Sequence, residues 1–162
     1  MNSLVAVFER VDRRIVAWME AHGVAFLRAS LGIVFLWFGF LKFFPGLSPA
    51  QELALRTTDI LTFGMVPSSM AIVLLAGWEC LIGLGLLANR WMRAVLLLLF
   101  VQMAGTMTPI LFFPDEVFTR IPYAPTLEGQ YIIKNLVLIS AGIVIGAKVR
   151  QRDKAAVYSS NI

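Results

Sequence analysis

Apolar residues run along this chain in four long stretches, and most of the charged residues lie between or beyond them. Crossing a hydrocarbon core of about 30 Å takes about 20 helical residues at about 1.5 Å of rise each. Residues 24–44, 70–88, 91–113 and 131–147 meet that requirement, so each is predicted to be a transmembrane helix. Short connections between successive spans make neighbours antiparallel, and the predicted fold is an all-α, four-transmembrane-helix antiparallel bundle.

The remaining segments carry different patterns. Over residues 3–21, Leu4, Phe8, Val11, Ile15 and Trp18 recur at helical spacing while Glu9, Arg10, Asp12, Arg13 and Arg14 turn elsewhere. This is an amphipathic helix expected to lie in the membrane interface. It has neither the continuous apolar core nor the small-residue cleavage site of a signal peptide, so it is expected to be retained. Gly23 on one side and Pro45-Gly46 on the other are expected to stop the first span. Ser48-Pro49-Ala50-Gln51 has the form of a capping box with proline at the first helical position, which predicts a short helix over residues 49–61 lying across the bundle's outer end. Asn89-Arg90 makes a tight turn, Pro109 should bend or break the end of the third span, and residues 114–129 read as a polar loop. In the fourth span Gly142 and Gly146 are spaced for close helix approach. The chain thus divides into an interfacial helix (1–22), a transmembrane domain (23–148) and a basic tail (149–162) expected to be loosely ordered.

Composition agrees with this layout. Of 162 residues, 59% are hydrophobic and 15% charged, and mean hydropathy is +0.79, more apolar surface than a soluble domain of this size can bury. The net charge of +4 comes without a basic run interleaved with aromatics, so no nucleic-acid partner is expected. Arg10, Arg13, Arg14, Arg28, Arg90, Arg93, Lys148, Arg150, Arg152 and Lys154 fall on one side of the predicted bundle, and Lys42, Arg56, Arg120 and Lys134 on the other. The positive-inside rule then places both termini in the cytoplasm. Cys80 and His22 are the only residues of their kinds, which excludes an intrachain disulfide and a bis-histidine haem, and no metal site is expected.

Candidate chemistry comes from the polar residues that interrupt the spans. Glu79 lies near the middle of residues 70–88, where a charged group costs about 3 kcal/mol on insertion scales. Counting from the cytoplasmic ends, Glu79 and Gln102 stand at about 15 Å, Lys134 and Asn135 at about 20 Å, Thr106 at about 24 Å and Lys42 at about 27 Å. This predicts a polar track from mid-membrane to the outer face, with a Glu79–Lys134 ion pair as first choice and Lys42 as a weaker partner. Arg28 is expected to reach toward the interface. Trp37 and Trp78 supply flat surfaces near the track, and Lys134 and Gln102 could donate hydrogen bonds to the carbonyls of a quinone. The bland alternative is a polar clamp that fixes the bundle.

The first span, LRASLGIVFLWFGFLKFFPG, resembles the opening signature of the DoxX-like membrane proteins: an arginine, a glycine one turn on, then aromatic-Gly-x-x-Lys-Phe. GWECLIGLGLL is similar to that superfamily's glutamate with its glycine-rich half-helix, and YIIKNLVLISAG to its fourth-span lysine followed by Asn or Asp. The matches cover about residues 26–147, and the loop pattern looks closest to the YkgB-like branch. The resemblance implies a four-helix bundle in a bacterial inner membrane, with Arg28, Lys42, Glu79, Lys134 and Asn135 as the motif residues. It also implies association with redox complexes, one relative being a subunit of a thiosulfate:quinone oxidoreductase. Three functions are consistent with this: a redox-associated protein binding a quinone or acting beside a quinone-linked enzyme, an accessory or assembly subunit of a larger membrane complex, and a small proton-coupled carrier. The expected partners are the lipid bilayer, other subunits of such a complex, or further copies of the chain.

Overall fold

Four helices of the computed structural model are long and apolar enough to cross a membrane: Val7–Leu41, Ser68–Ala88, Met92–Phe112 and Leu127–Arg150. The structure describes residues 2–44, 46–48 and 51–160, with side chains for residues 5, 7–44, 46–48 and 51–150. The elements in order are α1 (Asn2–Leu41), α2 (Gln51–Leu61), α3 (Ser68–Ala88), α4 (Met92–Met107), the single turns α5 (Pro109–Phe112) and α6 (Pro114–Val117), the strands β1 (Phe118–Arg120) and β2 (Ala124–Pro125), and α7 (Leu127–Ser160). α1 packs on α3, α3 on α4, α4 on α7 and α7 on α1, closing an antiparallel ring. The start of α1 and the finish of α7 share one end of the bundle, and α2, α5, α6 and the hairpin cover the other.

Two boundaries differ from the sequence expectation. Gly23 does not stop a helix: α1 runs through it without a break for 40 residues. A mid-helix glycine costs only about 1 kcal/mol against alanine, and no proline or capping residue beside it offers the backbone another partner. α7 likewise continues past residue 147 to Ser160, so the backbone of the expected loose tail is helical as far as Ser160. The first span instead ends at Leu41 in tight i→i−3 turns, Lys42 N–H donating to Gly39 O at 3.2 Å and Phe43 N–H to Phe40 O at 3.1 Å. Pro45, expected to stop this span, and Pro49 and Ala50 of the expected capping box lie outside the described residues.

The α3–α4 turn needs two left-handed residues, Asn89 (φ 54°) and Trp91 (φ 50°). Asparagine tolerates that region, and the Arg90 N–H closes the turn on Gly85 O at 3.4 Å. Pro109 interrupts the third span as expected, splitting α5 from α4 at Thr108. Residues 114–129 are more ordered than a loop: β1 and β2 pair antiparallel with Phe118 opposite Pro125 and Arg120 opposite Ala124. The Thr126 hydroxyl accepts from the Gly129 N–H at 3.0 Å and so caps the start of α7.

Two apolar clusters form the interior. The larger one, nearer the chain termini, includes Leu31, Phe35, Ile82, Leu86, Leu99 and Ile145. The smaller, under the cap, joins Leu53, Val117 and Ile132. Phe26, Trp37, Leu81, Leu97 and Val137 cover the outside of the spans, as lipid-facing positions require.

Candidate functional site

The buried charged and amide groups of the bundle meet at Glu79. Lys42 Nζ stands 2.6 Å from Glu79 Oε2, and Gln102 Nε2 donates to Glu79 Oε1 at 3.0 Å. Both carboxylate oxygens therefore have a nitrogen donor. The Lys42 and Glu79 side chains are only 14% and 11% exposed. An ion pair this enclosed is held by mutual compensation, because losing one partner strands the other at a cost of about 3–5 kcal/mol.

Backbone proximity explains how the three residues come together. A Cβ built on Gly39 would lie 2.8 Å from Glu79 Cβ and 2.9 Å from Cys80 N, and one on Gly83 would lie 2.5 Å from Leu36 N. Glycines on both helices let α1 and α3 touch main chain to main chain. Lys42 follows Gly39 by one turn and so stands over Glu79. Helical side chains lean toward their own N-terminus, and antiparallel α1 and α3 therefore tilt Lys42 and Glu79 toward each other.

The expected Glu79–Lys134 pair is not formed. Lys134 is exposed, and its Nζ lies 5.7 Å from the centre of the Tyr131 ring, one turn nearer the capped end. Counted heights set Lys134 about one turn above Glu79, within the reach of an extended lysine side chain, and that is the ground for the expected pair. Its side chain, however, leans toward the N-terminus of α7, away from Glu79. The counted heights misplaced Lys42 as well. Gly39 stands level with Cys80 and Arg28 with the end of α3, so Lys42 lies lower against Glu79 than a count from residue 24 gives.

The other expected residues divide between structural and surface positions. Asn135 Nδ2 donates to Thr106 Oγ1 at 3.3 Å, and Thr106 Oγ1 donates onward to Met103 O at 3.0 Å. This forms a second polar link one turn beyond Gln102. Arg28 caps the C-terminus of α3, its guanidinium donating to Leu86 O and to Leu87 O, where a cation also meets the negative end of the helix. Trp78 Nε1 donates to Leu98 O at 3.1 Å and the ring packs against the larger cluster. Trp37 is 65% exposed on the outside of α1 and flanks nothing in the centre.

Sequence reasoning missed a latch across the cap. Arg56 on α2 pairs with Glu116 on α6 at 2.6 Å and lies 4.4 Å over the Phe113 ring. Opposite charges in the two outer loops were the available signal. Among the described residues, no group of three or more His, Cys, Asp or Glu side chains gathers as metal ligands.

Comparison of the chain with protein-family models, with curated proteins and with solved structures gives no match.

Proposed function

We propose that the chain is a non-catalytic membrane subunit of the DoxX-like kind that acts beside a quinone-linked oxidoreductase. It stands in a bacterial inner membrane with both termini in the cytoplasm. The observation that carries this reading is the saturation of Glu79, whose two oxygens are taken by Lys42 and Gln102 while Gly39 brings α1 against it. Such a centre fixes helix order and register in lipid, where unsatisfied polar groups are expensive. The side assignment is supported by Arg90, Arg93, Lys148 and Arg150, which stand at the end of the bundle shared by the chain termini. The redox association rests on the motif resemblance.

Native gel electrophoresis of mild-detergent extracts tests the proposal. The chain is expected to migrate with a larger complex that carries quinone reductase activity, and migration only as a free monomer would overturn it.

A quinone held at the centre is the second reading, favoured by the convergence of two nitrogen donors, Lys42 Nζ and Gln102 Nε2, on one point. The donors suit quinone carbonyls, but the space does not. Both are engaged by Glu79, the helices touch beside it, and Trp37 faces outward. No step through a quinone is therefore assigned. Lipid extraction and mass spectrometry of purified protein decide between the readings: a stoichiometric quinone lost on Lys42→Met would replace the first with the second. A proton-coupled carrier ranks behind both, because four spans in one chain leave little room for alternating access.

A further inference from the structure

The sides of α1 and α7 that face each other are packed near the chain termini and uncovered toward the cap. On α7, Ala141 and Ile145 are 6% and 1% exposed. Lys134 and Leu127 precede Ala141 at seven-residue spacing and so lie on the same face, with Tyr131 between them, yet all three are exposed. On α1, buried Leu31 is followed two turns on by Phe38, which is 41% exposed. The cause is the place where α1 ends. Leu41 is its last residue, and Lys42 meets Glu79 near the middle of α3, so α1 stops short of the first turns of α7. A groove is left at the side of the bundle, lined by Phe38, Leu127, Tyr131 and Lys134.

Lys134 makes this groove more than an apolar seam. It lies inside the span Leu127–Arg150. Gln102 is level with Glu79 through their hydrogen bond, Thr106 stands one turn nearer the cap, and Asn135 donates to Thr106. Lys134 therefore sits about 6 Å nearer the cap than Glu79, one turn at helical rise. An ionisable group at such a depth is costly without a partner. Lys134 Nζ is turned toward the Tyr131 ring, and no carboxylate pairs with it among the described residues. Asp153, the one acidic side chain outside them, belongs to the opposite end of α7.

We propose that the groove receives a transmembrane helix of a partner subunit, one that carries a carboxylate at the depth of Lys134. The inference rests on the reading of the chain as part of a larger membrane complex. Charge selects the occupant: a carboxylate would compensate the ammonium, and a helix satisfies its own backbone in lipid. The uncovered faces also lie where a fourth helix would continue the ring beyond Leu41. A second copy of this chain fits less well. Copies related by an axis along the membrane normal present each residue at one level. Near that level Glu79 is already engaged by Lys42 and Gln102, and Glu128 stands more than one turn nearer the cap.

Photocross-linking of the full chain in native membranes tests the assignment. Benzoylphenylalanine placed at Tyr131 is expected to give an adduct whose cross-linked peptide, identified by mass spectrometry, is an apolar span containing Asp or Glu. The same probe at Leu136, exposed on the other side of α7, should give no such adduct. Lys134→Glu should lower the Tyr131 adduct about ten-fold or more, Lys134→Arg should keep it, and exchanging the partner's acid for lysine should restore it in the Lys134→Glu chain. Because Lys134 is exposed and holds no other element, these variants leave the bundle intact. Adducts with lipid alone, with a second copy of the chain or with a span lacking a carboxylate would overturn the groove, as would an adduct undiminished by Lys134→Glu. Native gels of the same membranes separate the two readings. Comigration with a complex but no protein adduct at Tyr131 overturns only the groove, whereas a free monomer overturns both.

Discussion

Gly39 on α1 faces Glu79 on α3 so closely that a Cβ on the glycine would lie 2.8 Å from the glutamate's own Cβ. That approach carries Lys42, three residues further on, to 2.6 Å from the Glu79 carboxylate. The contact and the ion pair are therefore one device: the glycine supplies the distance and the lysine supplies the charge. Alanine at position 39 would force the helices apart, with Cys80 N also in the way. Gly39→Ala is expected to cost about 1–3 kcal/mol, read as a lowered unfolding midpoint in detergent, and a midpoint equal to the parent's would mean the helices are not held at this spacing.

Which lysine serves Glu79 can be tested by substitution. Lys42→Met leaves the buried carboxylate uncompensated and should destabilise the bundle by about 3–5 kcal/mol. Adding Glu79→Gln should restore most of that loss, since the amide keeps an acceptor for Gln102. Lys134→Met, at an exposed position, should fall within about 0.5 kcal/mol of the parent. A double-mutant cycle that coupled Glu79 to Lys134 and not to Lys42 would contradict the structure.

Arg28 secures the end of α3 through two carbonyls. Hydrogen bonds from a charged group contribute about 1.5–3 kcal/mol where partly buried, so Arg28→Ala should fray this helix end locally. Hydrogen exchange is expected to speed up at the amides of Asn89 and Arg90, which bond back into the last turn of α3. The amides around Gln102 should remain as protected as before.

Two further glycines should respond in opposite directions. Nothing lies within 4 Å of the Cβ position on Gly23, whereas one on Gly129 would meet Val117 O at 2.0 Å. Gly23→Ala removes a mid-helix glycine and should stabilise α1 by about 0.5–1 kcal/mol. Gly129→Ala drives a methyl into a main-chain carbonyl that is itself bonded to Thr126, and should loosen the cap by about 3 kcal/mol. Limited proteolysis within residues 114–129 would report the second change, and resistance equal to the parent's would count against the tight packing seen here.

Much of the fold was legible along the chain because lipid allows few solutions. A segment that must satisfy its own backbone becomes a helix, and apolar length alone marks where four such helices lie. Glu79 and Gln102 were found at one level for the same reason, since both are counted from the same short turn. The errors arose where counting had no shared origin. Residues 3–21 and 24–44 read as two helices because Gly23 resembles a boundary, yet one glycine is a modest cost to a helix with no better partner for its backbone. The latch of Arg56 on Glu116 joins segments that only the folded cap brings together.

Residue pattern alone therefore settles that the chain is an all-α bundle of four membrane-crossing helices with a carboxylate at mid-depth, because helical rise and hydrocarbon thickness are fixed lengths. The partner of that carboxylate was decided by tertiary structure. Helix approach at Gly39 and Gly83, and the lean of each side chain toward its own N-terminus, depend on how antiparallel helices are set against one another, and no spacing along a single span encodes that offset.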